Sequence, residues 1–144
     1  MKTIYFETSA LLAWLLGEPC GDEVIAKIDS AETIVTSVLT LIEAERALIR
    51  AETQSILSAG DAERLRGLLA RSKSGWIAMD ISEDVRTRAS RFFPSEPVRT
   101  LDAIHLATAL VYMRVFPALE LFSYDQRILR NAKALGISIS SVNL

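Results

Sequence analysis

The sequence lacks the features that mark an exported or membrane-bound protein. A single cysteine, Cys20, excludes an internal disulfide and fits a reducing compartment. No run approaches the roughly 20 apolar residues that a membrane-spanning helix needs. Glu7 interrupts the apolar N-terminal segment, which therefore makes a poor signal peptide. We expect a cytoplasmic protein with no membrane segment.

Linkers, internal repeats and low-complexity segments are also absent from the sequence. The 144 residues are 50% hydrophobic and 24% charged, as is typical of a folded domain with a sizeable core. We therefore predict a single domain over residues 1–144.

The net charge of −2 is small, but the charges are unevenly distributed. Residues 1–63 carry 4 basic and 11 acidic groups, whereas residues 64–144 carry 12 basic and 7 acidic groups. Most of the basic groups are arginines, which suit bidentate contacts with phosphate. The alternative is that these charges decorate ordinary solvated helix faces.

Short β-rich apolar runs alternate with amphipathic segments along the chain. The predicted strands are residues 4–6, 33–35, 76–79, 119–122 and 137–139. The predicted helices are residues 9–16, 22–28, 37–50, 61–73, 83–93, 101–115 and 126–135, and residues 94–100 form the clearest loop. This alternation indicates an α/β fold in three layers, α/β/α, around a mostly parallel sheet of four to five strands. In such folds, ligands bind beyond the carboxyl ends of the strands.

Four acidic residues lie where such a ligand would bind. Glu7 directly follows the first predicted strand, and Asp125 comes three residues after the fourth. Glu43 lies in the helix after the second strand, and Asp102 opens the helix after the proline-rich loop. In a parallel sheet these side chains would meet at one edge. Alternatively, Asp102 and Asp125 are ordinary helix N-terminal acids, worth about 0.3–1 kcal/mol each, and Glu43 is a surface residue.

Four clustered carboxylates would repel one another. Two unit charges about 5 Å apart cost roughly 3 kcal/mol at an effective dielectric constant of 20. The cluster therefore needs protonation or a cation, and oxygen ligands favour Mg²⁺ or Mn²⁺. We predict that Glu7, Asp102 and Asp125 bind the metal directly, with Glu43 binding directly or through water. Such a site suits phosphate chemistry.

Side chains next to these acids are candidates for supporting roles. Three hydroxyl residues could orient the carboxylates or instead cap helices: Thr8, Ser9 and Ser123. Arg46 could tether Glu43, contact phosphate, or form a simple surface pair three residues along the helix. His105, the only histidine, lies one turn after Asp102. We expect His105 to be a packed, hydrogen-bonded helix residue, and a catalytic base is the less favoured alternative.

Four segments of the sequence together carry a family resemblance. In chain order they are "IYFETSALLAWLLGEP", "TSVLTLIEAERAL", "RTLDAIHLATAL" and "LFSYDQRILRNAKALGI". Each contains one of the four acids, and their order and separations resemble the PIN-domain ribonucleases, specifically the VapC-type toxins of toxin–antitoxin pairs. The resemblance covers nearly the whole chain.

The resemblance implies a Rossmann-like PIN fold with the four acids around one or two Mg²⁺ or Mn²⁺ ions. It also implies hydrolysis of RNA phosphodiesters to leave a 5′-phosphate and a 3′-hydroxyl. A cognate antitoxin whose tail covers the site, and a homodimer, complete the expectation.

Glu7 departs from the family pattern, which usually has aspartate at this position. The extra methylene keeps the charge but moves the carboxylate by about one carbon–carbon bond, and magnesium geometry is demanding. Glu7 is therefore either a natural variant with a rearranged water or an engineered substitution that attenuates the enzyme. The alternative function is a PIN-fold module that binds an antitoxin or RNA with weakened or no catalysis.

Overall fold

The computed structural model describes residues 2–140, in which strands and helices alternate. The strands are β1 (Thr3–Phe6), β2 (Thr33–Ser37), β3 (Ile77–Met79), β4 (Glu120–Phe122) and β5 (Ser138–Ile139). The helices are α1 (Thr8–Leu15), α2 (Gly21–Ser30), α3 (Val38–Thr53), α4 (Ala59–Lys73), α5 (Glu83–Ala89), α6 (Thr100–Tyr112) and α7 (Gln126–Ala134). Within residues 2–140, no helix has both the length and the apolar character needed to cross a membrane.

The five strands form one sheet in the order β3-β2-β1-β4-β5, and every pair is parallel. β1 is central, with Tyr5 in register with Val35 of β2 and Leu121 of β4. The chain builds the sheet outward from β1 to β3 and then returns to place β4 on the other side of β1. The strand order therefore switches between β1 and β4, and this switch opens a crevice at the carboxyl ends of the two strands.

Helices cover both faces of the sheet because successive side chains of a strand point in opposite directions. Tyr5 points into a core cluster with Leu106 of α6. Its neighbours Ile4 and Phe6 point the other way, into a cluster with Val24 of α2. The predicted α/β/α architecture with a parallel sheet is confirmed.

The α5 helix is shorter than the sequence pattern predicts, because it ends at Ala89 and not at residue 93. The Glu96 carboxylate accepts the backbone N–H of Phe93 at 2.8 Å, so this N–H is committed to a loop. The Phe93 side chain nevertheless reaches the core and is only 5% exposed. Phe93 continues the apolar spacing of the helix because its side chain is buried, although its backbone belongs to a loop.

The α6 helix also ends earlier than predicted, at Tyr112 and not at residue 115. The backbone N–H of Arg114 donates to the carbonyl of Val111 at 3.2 Å. This bond spans three residues, as in a 3₁₀ turn, and not the four of an α-helix. Pro117 follows shortly afterwards and disfavours helical geometry in the residue before it.

Candidate active site

The predicted acids lie at the carboxyl end of the sheet, around the crevice between β1 and β4. Glu7 follows β1 and caps α1, while Asp125 follows β4 and caps α7. Asp102 lies in the first turn of α6. Glu43 reaches the same region from α3, because its carboxylate accepts a hydrogen bond of 2.6 Å from the Thr8 hydroxyl, next to Glu7.

The Glu7 carboxylate is buried, with 4% of the residue exposed, and each oxygen has a donor. Oε2 accepts the backbone N–H of Ser9 at 2.8 Å. Oε1 accepts the hydroxyls of Ser9 at 2.7 Å and of Ser123 at 2.6 Å. Charge-assisted bonds of this kind, together with the positive end of α1, stabilise a carboxylate that is removed from water. The acid between two apolar runs is therefore held by hydroxyls from two separate strand ends.

Glu43 is held by a second set of donors. His105 Nε2 lies 2.8 Å from Glu43 Oε1, and the Thr8 hydroxyl donates to the same oxygen. Burial raises the pKa of the Glu43 carboxyl, but the hydrogen bonds from His105 and Thr8 outweigh burial and lower the pKa overall. Glu43 is thus kept ionised in the fold.

His105 connects Glu43 to the interior of the sheet. Its ring is 2% exposed, and Nδ1 lies 2.9 Å from the hydroxyl of fully buried Tyr5. Burial, and then the charge of Glu7, hold the pKa of Tyr5 well above its usual range, so the hydroxyl stays protonated. The ionised Glu43 carboxylate only accepts, so it requires a proton on the ring nitrogen that faces it, which leaves Nδ1 of a neutral ring to accept from the Tyr5 hydroxyl. In neutral His105 the proton then sits on Nε2 and points at Glu43.

Acid should weaken the fold partly through Glu43. Because its folded pKa is lowered, ionised Glu43 contributes stability above its ordinary value of 4.5 and loses it as pH falls through the folded pKa. We expect Glu43→Gln to flatten the fall in stability below about pH 4.5, as measured by urea unfolding of the metal-free protein. Glu45→Gln is the control, since it removes only a surface pair with Arg66. Equal acid sensitivity in Glu43→Gln and the parent protein would contradict the expectation.

Asp102 and Asp125 form the second part of the site. Burial raises the pKa of Asp102, and the nearby charge of Asp125 raises it further, while His105, Arg127 and Arg99 act in the opposite direction. Two partly buried carboxylates therefore repel each other beside two arginines. A divalent cation would relieve this repulsion.

The donor set fits a hard divalent ion in its chemistry, because all four acids offer carboxylate oxygens. Within residues 2–140, however, no three His, Cys, Asp or Glu side chains are arranged as a ready-made metal site. Glu7 and Glu43 are instead turned toward the protein donors described above. The convergence of the acids on one edge agrees with the sequence prediction, and their ligand roles stay predictions.

The predicted supporting residues divide into two groups. Thr8, Ser9 and Ser123 each donate a hydroxyl to Glu43 or Glu7, which is the orienting contact predicted for them. Arg46 is exposed, and no ion pair within residues 2–140 includes it. Glu43 pairs with His105 instead, so the simple surface pair with Arg46 is not present.

Tyr5 is the residue that the sequence prediction missed. It reads as one more apolar strand residue between Ile4 and Phe6, whereas its hydroxyl orients His105. The sequence signal that could have predicted this role is a tyrosine in an otherwise apolar strand, because a buried tyrosine hydroxyl needs a hydrogen-bond partner.

Comparison with known proteins agrees with this architecture. The family model of the PIN domain matches residues 4–134. Ribonuclease VapC35 of Mycobacterium tuberculosis is 35% identical over 138 residues, which cover 94% of this chain and 94% of that protein.

Two solved structures of Mycobacterium tuberculosis proteins share the fold. VapC20, a Sarcin-Ricin loop cleaving toxin, aligns with a TM-score of 0.67 and 17% identity over 96% of this chain and 99% of the other. VapBC-5, of the VapBC family of toxin–antitoxin systems, aligns with a TM-score of 0.57 and 19% identity over 99% and 98%. The family-model match and the identity to VapC35 together establish that this chain belongs to the PIN domain family, among its VapC-type members.

Proposed function

We propose that this protein is a VapC-like toxin, an endoribonuclease that hydrolyses RNA phosphodiesters with Mg²⁺ or Mn²⁺. The observation that carries the proposal is that the charges of Asp102 and Asp125 interact, while the Ser123 hydroxyl accepts the backbone N–H of Asp125 and donates to buried Glu7. The ribonuclease name of a relative that is 35% identical supports the same activity.

The cation would be held by Glu7, Asp102 and Asp125, with Glu43 bound directly or through a water. When bound, it neutralises phosphate charge, activates the attacking water and stabilises the leaving oxygen. The protein's own contribution is to hold the carboxylates in place before substrate arrives. Ser9 and Ser123 position Glu7. Thr8 and His105 position Glu43.

The proposed toxin function also implies a way of controlling the enzyme. The chain would act in the cytoplasm as a homodimer, and a cognate antitoxin would cover the site until the toxin is released. Support comes from the solved relative VapBC-5, which belongs to a family of toxin–antitoxin systems.

A metal-dependent cleavage assay tests the proposal. Purified protein should cleave RNA in Mn²⁺ or Mg²⁺, stop on addition of EDTA, and recover when excess metal is restored. Calorimetry should detect metal binding by the parent protein and none by the Asp102→Asn, Asp125→Asn double variant. Failure of the parent protein to bind metal at millimolar concentration would reject the enzyme and leave an RNA- or antitoxin-binding module.

Position 7 gives a separate prediction. If Glu7 attenuates the enzyme, Glu7→Asp should increase the cleavage rate by roughly tenfold to a hundredfold, because small displacements of catalytic groups cost this much. Aspartate is also a favoured N-cap, so α1 should keep its cap. The rates are compared under single-turnover conditions, with thermal unfolding as the check on folding. A Glu7→Asp protein that cleaves no faster than an active parent protein would show that Glu7 does not attenuate the enzyme.

A further inference from the structure

The loop that joins α5 to α6, residues 90–99, exposes an aromatic side chain that the fold does not use. Phe92 is 88% exposed, whereas the adjacent Phe93 is only 5% exposed. Phe92 stands at an open pocket of about 620 Å³, whose other apolar walls include Phe93, Pro97, Val98 and Ala103. This volume is within the range of pockets that bind small organic groups.

A second cavity adjoins this apolar pocket and has the opposite character. It measures about 350 Å³ and shares Glu96, Pro97 and Val98 with the first pocket. Its walls carry Asp102 and the arginine triad, by which we mean Arg99, Arg127 and Arg130. All three arginines are exposed, and no ion pair within residues 2–140 includes any of them. Their guanidinium groups are therefore available to an anionic ligand beside the candidate active site.

Hydrogen bonds hold the wall between the two cavities in place. The Glu96 carboxylate accepts the backbone N–H groups of Phe93 at 2.8 Å and Val98 at 2.7 Å. The side-chain amide of Asn131, which is 3% exposed, accepts from the backbone of Ser95 at 2.8 Å and donates to it at 3.1 Å. The loop is tied both to itself and to α7. A ligand that binds here does not have to order the loop first.

We propose that these adjoining cavities bind one unpaired nucleotide of the RNA substrate. The base lies against Phe92 in the apolar pocket, and its backbone phosphate lies on the arginine triad next to Asp102. Aromatic platforms combined with arginine-lined grooves are how proteins bind single-stranded nucleic acid. The assignment rests on the proposed ribonuclease function and adds to it a binding place for one base and one phosphate. A base stacked inside a duplex cannot enter the pocket.

Binding without cleavage tests the role of Phe92. In EDTA, the anisotropy of a short fluorescein-labelled single-stranded RNA should show roughly 5- to 150-fold weaker binding by Phe92→Ala than by the parent protein. The same strand annealed to its complement should bind the two proteins equally. Val115→Ala is the matched control, because Val115 is 72% exposed and lies beyond the opposite end of α6. Phe92 is so exposed that its truncation should leave the fold unchanged.

Salt dependence tests the role of the arginines. Arg127→Gln and Arg130→Gln should each reduce the slope of log Kd against log salt concentration by about 0.7, as expected for a lost phosphate contact with a single strand. Arg114→Gln should leave the slope unchanged, because Arg114 pairs with Asp84 at 3.0 Å and lies beyond the far end of α6.

Several outcomes would overturn the proposal. Unchanged single-strand binding by Phe92→Ala would remove the base site, and unchanged salt slopes would remove the phosphate site. A shift in sedimentation coefficient with Phe92→Ala would show that Phe92 instead contacts a second copy of the chain. If the parent protein cleaves RNA but these variants bind normally, the nucleotide cavity alone fails. If the parent protein neither binds nor cleaves RNA, the ribonuclease proposal fails as well.

Discussion

Replacement of Asp102 by asparagine is expected to reduce RNA cleavage by about a thousandfold. The change keeps the shape of the side chain but removes a negative charge from the acid pair at the crevice. A bound cation contributes several kcal/mol of charge stabilisation in the transition state, and each 1.36 kcal/mol lost is a tenfold loss in rate. The measurement is single-turnover cleavage of a labelled RNA at saturating protein and metal concentrations.

The stability of the fold should not fall with activity in Asp102→Asn. Burial and the charge of Asp125 raise the folded pKa of Asp102, so its ionised form weakens the fold at every pH above that pKa. The neutral amide relieves this penalty. The thermal midpoint of the metal-free protein at neutral pH should therefore stay equal or rise.

The exposed residue Asp84 provides the matched control for this prediction. Asp84→Asn removes a carboxylate that pairs with Arg114 on the surface, and it should change neither activity nor stability appreciably. If Asp102→Asn lost activity together with a fall in the thermal midpoint, unfolding and not lost chemistry would explain the result.

Tyr5→Phe is expected to lower kcat by about 10- to 100-fold and to leave KM nearly unchanged. Its hydroxyl donates to Nδ1 of His105 at 2.9 Å and so keeps the other ring nitrogen, Nε2, protonated toward Glu43. Loss of a hydrogen-bonding group that orients a metal-binding side chain without touching the metal typically lowers activity by about 10- to 100-fold. Because Tyr5 is fully buried under the sheet edge, it acts through His105 and does not touch the substrate.

Tyr112→Phe is the matched control, because both tyrosines lie in the same core cluster. The Tyr112 hydroxyl donates to the backbone carbonyls of Thr36 at 3.0 Å and Ile77 at 3.1 Å, away from His105. Each variant should lose about 1 kcal/mol of unfolding free energy from its missing hydrogen bonds. Only Tyr5→Phe should lose kcat, and equal kcat values in the two variants would refute the orienting role of Tyr5.

Substitutions at His105 test the same chain of contacts from its centre. His105→Gln retains an N–H that can reach Glu43, whereas His105→Phe fills the space without a donor. We expect the glutamine variant to keep more RNA cleavage activity than the phenylalanine variant. The two activities are compared at a temperature at which thermal unfolding shows both variants to be folded. Equal activity would mean that His105 only fills space in the core.

Local sequence patterns were sufficient to place most of the elements. The five strands were predicted within two residues at each end, because short β-rich runs sat between clear helix patterns. The predicted end of α5 was wrong, because the spacing of Phe93 from the apolar residues before it suits either a helix or a buried loop residue. The Glu96 contacts that decide between them depend on the folded loop.

The sequence by itself predicted a parallel α/β sheet with four acids near the carboxyl ends of its strands. Parallel strands connected by helices bring their carboxyl ends to the same edge, so Glu7 after β1 and Asp125 after β4 belong to that edge. The adjacency of β1 and β4, which makes the two residues neighbours, is a property of the folded sheet. Only the tertiary structure decided how each acid is held. Glu43 pairs with His105 across 62 positions, and Tyr5 orients His105 across 100. Such contacts depend on strand order and helix packing, which no local propensity or spacing encodes.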